Sequence, residues 1–118
     1  MNIAIPVWEG KVSPVFDTAS RLLVLKVEDK EEKHRFETYL EEKDLMRRFD
    51  RVQGLEVDIL ICGAISRQFH RMLSAGGIDV IPWISGPAEE ILNAYLEGTL
   101  SDAKYLMPGC ERGEGNWR

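Results

Sequence analysis

The 118-residue sequence lacks the motifs by which several classes of protein are recognised. It has only two cysteines, Cys62 and Cys110, and neither lies in a CxxC pair. Its two histidines do not form an HExxH motif, so a closed structural zinc site is not expected. Two cysteines do not make a disulfide framework. The sequence therefore predicts free thiols that are either buried or used as ligands.

Long apolar runs and an excess of basic residues are also missing. No apolar run approaches the roughly 20 residues needed to cross a bilayer. The first ten residues, "MNIAIPVWEG", lack a basic segment followed by a long apolar one, and we therefore expect a cytoplasmic location. Fifteen basic and 20 acidic residues give a net charge of −5, which argues against nucleic-acid binding. Neither nucleic acid nor a membrane is expected as a partner.

What remains is the composition of an ordinary globular domain, with 44% hydrophobic and 30% charged residues. The length suits one domain with its own core. Hydrophobic periodicity continues to about residue 100 and is lost from Ser101 onward. The sequence therefore predicts a single domain over residues 1–100 and a C-terminal tail over residues 101–118.

The apolar pattern predicts an α/β fold with a mixed five-stranded sheet. Alternating or continuous apolar runs predict strands at 2–7, 21–27, 34–40, 56–62 and 78–83. Helical spacing follows from Glu41 to Gly54, around Phe69, and from Pro87 to Leu96, with Gly86 as the N-cap of the last helix. The first three strands suit an antiparallel meander, and the later βαβ units require parallel strands.

Ligands of such sheets bind beyond the carboxyl ends of the parallel strands. That edge should gather the loop 8–20 and the turns 62–66 and 83–87. Gly63 and Gly86 would let the backbone approach an anion there, beside two helix N-termini. The alternative is that these are structural turns, with Ser66 and Ser85 as residues at helix starts rather than nucleophiles.

The thiols and aromatic side chains each allow two interpretations. Cys62, just before a helix, is either a thiolate ligand or a packed core residue. Cys110 lies in a polar, glycine-rich tail and is either a ligand or idle. Trp8, Phe16 and Trp83 would line either the mouth of the crevice or the rim of the core. Asp17 is the only carboxylate expected in the crevice, which argues against a two-metal hydrolase.

Five stretches of the sequence resemble the dinitrogenase iron–molybdenum cofactor biosynthesis family, the small domain of NifX-like and NafY-like proteins and of the carboxyl end of NifB-like ones. They are "MNIAIPV", "KVSPVFDTASRLLVLKV", "VDILICGAIS", "GIDVIPWISGPAEEILNAYLEGTL" and "MPGC". The resemblance covers about residues 1–110. It implies a ribonuclease-H-like, three-layer α/β/α fold.

The resemblance also implies a binding or carrier protein, not an enzyme, for an iron–sulfur or molybdenum–sulfur cluster or a cofactor precursor. A protein partner in cofactor assembly is implied as well. The expected cofactor-binding residues are those at the three matching turns: Ser13, Pro14, Phe16, Gly63, Ala64, Ile65, Ser66, Ser85 and Gly86.

One segment departs from the family pattern. Many members carry a glycine- and histidine-rich loop between the third strand and the first helix, whereas this chain has "YLEEKDLMRRF". Cys62 or Cys110 must then replace the missing histidine as metal ligand, or the cluster is held without it. The alternative function is a metal-free domain that senses a small anion or metabolite through a protein partner.

Overall fold

The computed structural model describes residues 1–107, which form six strands and three helices. The strands are β1 (Asn2–Trp8), β2 (Lys11–Val12), β3 (Arg21–Glu28), β4 (Glu31–Tyr39), β5 (Ile59–Ile61) and β6 (Asp79–Ile81). The helices are α1 (Leu45–Gly54), α2 (Arg67–Ala75) and α3 (Ala88–Glu97). No helix within residues 1–107 is long and apolar enough to span a membrane.

The sheet is mixed, with strand order β4-β3-β1-β5-β6, and β2 pairs with β1 outside this path. Strands β4, β3 and β1 are antiparallel neighbours, whereas β1, β5 and β6 run parallel. The predicted antiparallel meander followed by parallel strands is therefore confirmed. The carboxyl ends of β1, β5 and β6 lie at one edge of the sheet.

The predicted count of five strands is wrong because the loop 8–20 contains a short strand of its own. Strand β2 pairs Val12 with Val7 and Lys11 with Trp8. The two residues between the strands, Glu9 and Gly10, have positive φ values of 52° and 78°, as a two-residue hairpin turn of this hand requires. A strand of two residues is too short for hydrophobic periodicity to reveal.

Alternation along β1 sends its side chains into two cores. Ile3 and Ile5 pack in the cluster that includes Ile91 of α3. Ala4 points to the opposite face and belongs to the cluster that includes Val52 of α1, together with apolar residues of α2. Helices thus cover both faces of the sheet, which gives three layers.

Several element ends differ from the prediction. Helix α1 begins at Leu45 rather than Glu41. Helix α3 begins one residue late, because Pro87 has an extended backbone (φ −61°, ψ 135°) and is itself the N-cap instead of Gly86. It ends at Glu97, one residue beyond the predicted Leu96, and Gly98 follows as the C-cap at a left-handed φ of 81°.

The chain returns to the carboxyl edge after α3. Tyr105 is buried, and its carbonyl oxygen accepts a hydrogen bond from the Ser85 amide at 2.8 Å. Leu106 forms an antiparallel bridge with Ile84. The first residues of the predicted tail are therefore packed against the turn that precedes α3.

Candidate functional site

The carboxyl-edge site consists of the loop 8–20 and the turns 62–66 and 83–87, which are joined by backbone hydrogen bonds. The amide of Phe16 donates to the carbonyl of Ala64, and the amide of Ala64 donates to the carbonyl of Pro14, each at 2.8 Å. The amide of Trp83 donates to the carbonyl of Gly63 at 2.9 Å. The three segments expected to share a crevice are therefore in direct contact.

Gly63 is where the first loop approaches most closely. A Cβ atom at this position would lie 2.7 Å from the carbonyl oxygens of both Ser13 and Pro14. Ser13 is buried, and its amide donates to the carbonyl of Pro6 at 2.8 Å, which holds the loop in place. The absence of a side chain at Gly63 therefore makes room for the backbone of the loop 8–20, rather than for the anion that was predicted.

The N-terminus of α2 is capped by Ser66 and faces a carboxylate. The Oγ of Ser66 accepts a hydrogen bond from the amide of Phe69 at 3.2 Å, as an N-cap serine should. The amide of Ser66 donates to Oδ1 of Asp17 at 2.8 Å. Within the described part of the chain, the amides of Arg67 and Gln68 have no acceptor. Two N–H groups at the positive end of the helix dipole therefore remain open.

The N-terminus of α3 is held by backbone groups. The amide of Ala88 donates to the carbonyl of Gly10, and the amide of Val12 donates to the carbonyl of Gly86, each at 2.9 Å. Pro87, the N-cap, contributes no side-chain hydrogen bond. The hairpin of β1 and β2 therefore fixes the start of this helix.

Acidic side chains occupy the first turn of α3, whereas α2 has none in its first turn. Glu89 and Glu90 offset the positive end of the α3 dipole. Hydrogen bonds from Arg35 of β4 lower the pKa of Glu89. A further anion is therefore less favourable at α3 than at α2.

Cys62 is completely buried in the core between the sheet and helices α1 and α2. Burial raises the pKa of its thiol far above the usual range, and the charge of Asp17 adds to this. These surroundings disfavour the thiolate. Of the two interpretations of Cys62, they favour a core residue that packs as a small apolar group. Cys110, the other predicted ligand, lies outside the described residues.

The three aromatic residues have different environments. Phe16 is fully buried and stacks on Phe69, with ring centroids 5.0 Å apart, so it belongs to the core. Trp8 is 59% exposed, and Trp83 is 38% exposed with a positive φ of 66°. A non-glycine residue in this conformation is uncommon and strained, and such residues cluster at functional sites.

The other predicted site residues lie at the same edge and differ in exposure: Pro14 and Ser66 are exposed. Ile65 is buried, and Ala64 and Ser85 are half-buried. His70 of α2 is half-buried, and this burial lowers the pKa of its imidazole. In residues 1–107, no group of three or more His, Cys, Asp or Glu side chains could hold a metal ion.

Arg48 is the main residue of the site region that sequence reasoning missed. It is only 3% exposed, and its Nη2 donates to the carbonyls of Phe16 and Ala19 at 2.7 Å each. Burial lowers the pKa of the guanidinium, an effect that the charges of Asp17 and Glu42 oppose. The sequence contains one signal that could have revealed its burial. Arg48 lies four residues before Val52, so both lie on the buried face of α1. Arg48 of α1 therefore anchors the loop 8–20 by hydrogen bonds to its backbone.

Comparison with known structures shows the same fold in several proteins. The crystal structure of PH0822 superimposes with a TM-score of 0.78 at 18% identity, covering 83% of this chain and 90% of that one. MJ0327 of Methanocaldococcus jannaschii gives 0.71 at 21% identity, covering 89% and 96%. The apo form of the orange protein from Desulfovibrio gigas gives 0.65 at 19% identity, covering 89% and 94%. No curated protein sequence matches the chain.

The mixed sheet, the helices on both faces and the joined turns at the carboxyl edge define a compact α/β domain with its candidate site at one end. The sequence model of the family described as dinitrogenase iron–molybdenum cofactor matches residues 1–98. This chain belongs to that family, and the predicted resemblance is confirmed.

Proposed function

We propose that this protein is a non-enzymatic carrier of an iron–sulfur or molybdenum–sulfur cluster or cofactor precursor. The cluster is cargo, bound non-covalently at the carboxyl-edge site. Membership in the family supports a role in handling iron–molybdenum cofactor. The proposal includes a ribonuclease-H-like classification of the fold, a cytoplasmic location and a protein partner in cofactor assembly.

The observation that carries the proposal is the N-terminus of α2. Its first turn holds two open N–H groups and the exposed side chain of Arg67, with no acidic residue in that turn. A cation at a helix N-terminus is unfavourable by itself, because it opposes the dipole. An anionic ligand would relieve that repulsion and satisfy the open amides. A metal–sulfide anion would add to the negative charge that Asp17 already supplies at this end.

Cys110 is the better of the two candidate thiol ligands. The Cys62 thiol is enclosed, and burial raises its pKa, which disfavours the thiolate. Cys110 follows three residues after Met107, whose amide donates to the carbonyl of Trp83 at 2.9 Å. Soft thiolates suit iron, molybdenum and copper.

Anaerobic purification, followed by an absorption spectrum and elemental analysis, tests the proposal. We expect stoichiometric metal and sulfide with charge-transfer bands in the visible, either as isolated or after reconstitution with iron and sulfide or with a thiomolybdate. A protein that stays colourless and metal-free after both reconstitutions would contradict the carrier function.

Two pairs of variants test the residue assignment. Reversing one charge about 4 Å from the ligand changes its binding energy by about 2 kcal/mol, so Arg67→Glu should lower cluster retention at least about tenfold. Arg71→Glu, one turn further along α2, is the matched control and should retain the cluster. Cys110→Ser should lower retention more than Cys62→Ala. Equal retention in all four variants would remove this site from the proposal.

A further inference from the structure

Strand β4 forms an open edge of the sheet. It is nine residues long, and within residues 1–107 it pairs only with β3. All of its residues are exposed except Thr38, which is half-buried. Charged side chains and a bulge partly protect this edge, which still presents unpaired N–H and C=O groups to other strands.

The first part of this edge is irregular and the second part is regular. The register between β3 and β4 shifts so that Val27 pairs with Glu32, Lys26 pairs with His34, and Lys33 has no partner on β3. Such a bulge hinders further pairing. Residues 34–39 continue in regular register, and Phe36 in their middle is 41% exposed.

We propose that this edge pairs with the same edge of a second copy of the chain, antiparallel and with the twofold axis at Phe36. A twofold axis perpendicular to the sheet keeps each side chain on its own face and therefore passes through a residue position. In this register Arg35 of each copy, which also pairs with Glu32 and Glu89 of its own chain, lies opposite Glu37 of the other copy. The two Phe36 rings face each other, and His34 lies opposite Thr38.

The charge pattern favours this register over its neighbours. An axis at Arg35 or at Glu37 places two identical charges opposite each other. An axis at His34 places Lys33 opposite Arg35. With the axis at Phe36, no like charges are opposed along residues 33–39. Opposite charges and aromatic pairs across strands are stabilising, whereas like charges are destabilising.

This pairing is independent of the proposed function. Strand β4 lies at the opposite side of the sheet from β6. The carboxyl-edge sites of both copies therefore stay accessible. Because the contact is one short pair of strands, the dimer should be concentration-dependent rather than permanent.

Sedimentation equilibrium of the full chain over a wide concentration range tests the proposal. The wild type should show a monomer–dimer equilibrium. Arg35→Glu and Glu37→Arg should each raise the dimer Kd by roughly tenfold or more, because two attractive pairs become two repulsive ones. An equimolar mixture of the two variants should recover the dimer, since each acidic pair then faces a basic pair.

Arg71→Glu and Glu97→Arg make the same charge changes at exposed helical positions and are the matched controls. Both should dimerise as the wild type does, and circular dichroism should show that all variants are folded. A wild type that remains monomeric at millimolar concentration would overturn the proposal. So would variants that dimerise normally, or a mixture that fails to recover the dimer while both of its components are folded.

Discussion

Helices α2 and α3 follow parallel strands β5 and β6 through glycine-containing turns, but their starts are built differently. At α2, Ser66 caps the helix with its side chain, and Asp17 from the first loop accepts the hydrogen bond of its amide. At α3, Pro87 provides no side-chain cap, and the β1–β2 hairpin holds the backbone instead. Similar sequence signals therefore correspond to two different sets of contacts.

The charges differ in the same way. The first turn of α3 carries its own counter-charges, Glu89 and Glu90. The first turn of α2 carries Arg67 and depends on Asp17, which comes from another segment. A helix that lacks its own acidic residues and keeps open amides is the one at which an external anion gains most. The comparison therefore favours α2 over α3 as the contact for the proposed cargo.

The largest expected effect comes from the glycines of the two turns. Gly63→Ala would place a Cβ 2.7 Å from two backbone carbonyl oxygens, so the loop 8–20 must move. We expect a loss of about 3 kcal/mol in the free energy of unfolding, measured by chemical denaturation. Gly86→Ala meets only the Ile91 side chain, at 3.5 Å, but keeps a φ of +133° that favours glycine. It should cost about 1–2 kcal/mol.

Susceptibility to proteolysis separates the two glycine variants further. Gly63→Ala should expose the loop 8–20 to cleavage, because its carbonyl groups lose their packing against the turn. Gly86→Ala should leave cleavage of that loop unchanged. Equal protection of the loop in both variants would show that the two turns are equivalent and would contradict the comparison.

The elements that determine the fold could be predicted because each has a strong local pattern. Helix α3 shows an apolar stripe that ends at Leu96, shortly before Gly98. Strand β5 is an unbroken apolar run, which indicated a strand buried on both faces. Strand β2 could not be predicted, since two residues carry no periodicity and its pairing depends on a turn at Glu9 and Gly10. The exact start of α3 depended on contacts with this same hairpin.

The site was predictable in outline but not in its contacts. Topology alone placed the three segments at one edge. Whether Gly63 admits a ligand or a loop depends on the tertiary position of Pro14, which no local pattern encodes. Likewise, the burial of Cys62 and the role of Arg48 follow from how α1 and the loop 8–20 pack together.

A smaller effect is expected from the cap of α2. Ser66→Ala removes the hydrogen bond to the Phe69 amide and should cost about 1 kcal/mol in the free energy of unfolding. Ser74→Ala, at an exposed position near the end of the same helix, is the control and should have almost no effect. If both substitutions cost the same, the side-chain cap does not distinguish α2 from α3.

The smallest effect concerns the counter-charge of α3. Hydrogen bonds from Arg35 hold the pKa of Glu89 below 4.5 in the folded protein, so the carboxylate stabilises the fold above about pH 4.5, and this contribution is lost as the pH falls through the lowered value. Since the side chain of Glu89 is 66% exposed, Glu89→Gln should cost less than about 0.5 kcal/mol at pH 7. Thermal unfolding of wild type and variant should differ at pH 7 and converge as the pH falls through the lowered pKa of Glu89. Glu90→Gln, in the same turn but without an ion pair among residues 1–107, is the matched control and should cost less at pH 7 than Glu89→Gln. A constant difference between Glu89→Gln and the wild type across this range would mean that Arg35 does not stabilise the start of α3 through this charge.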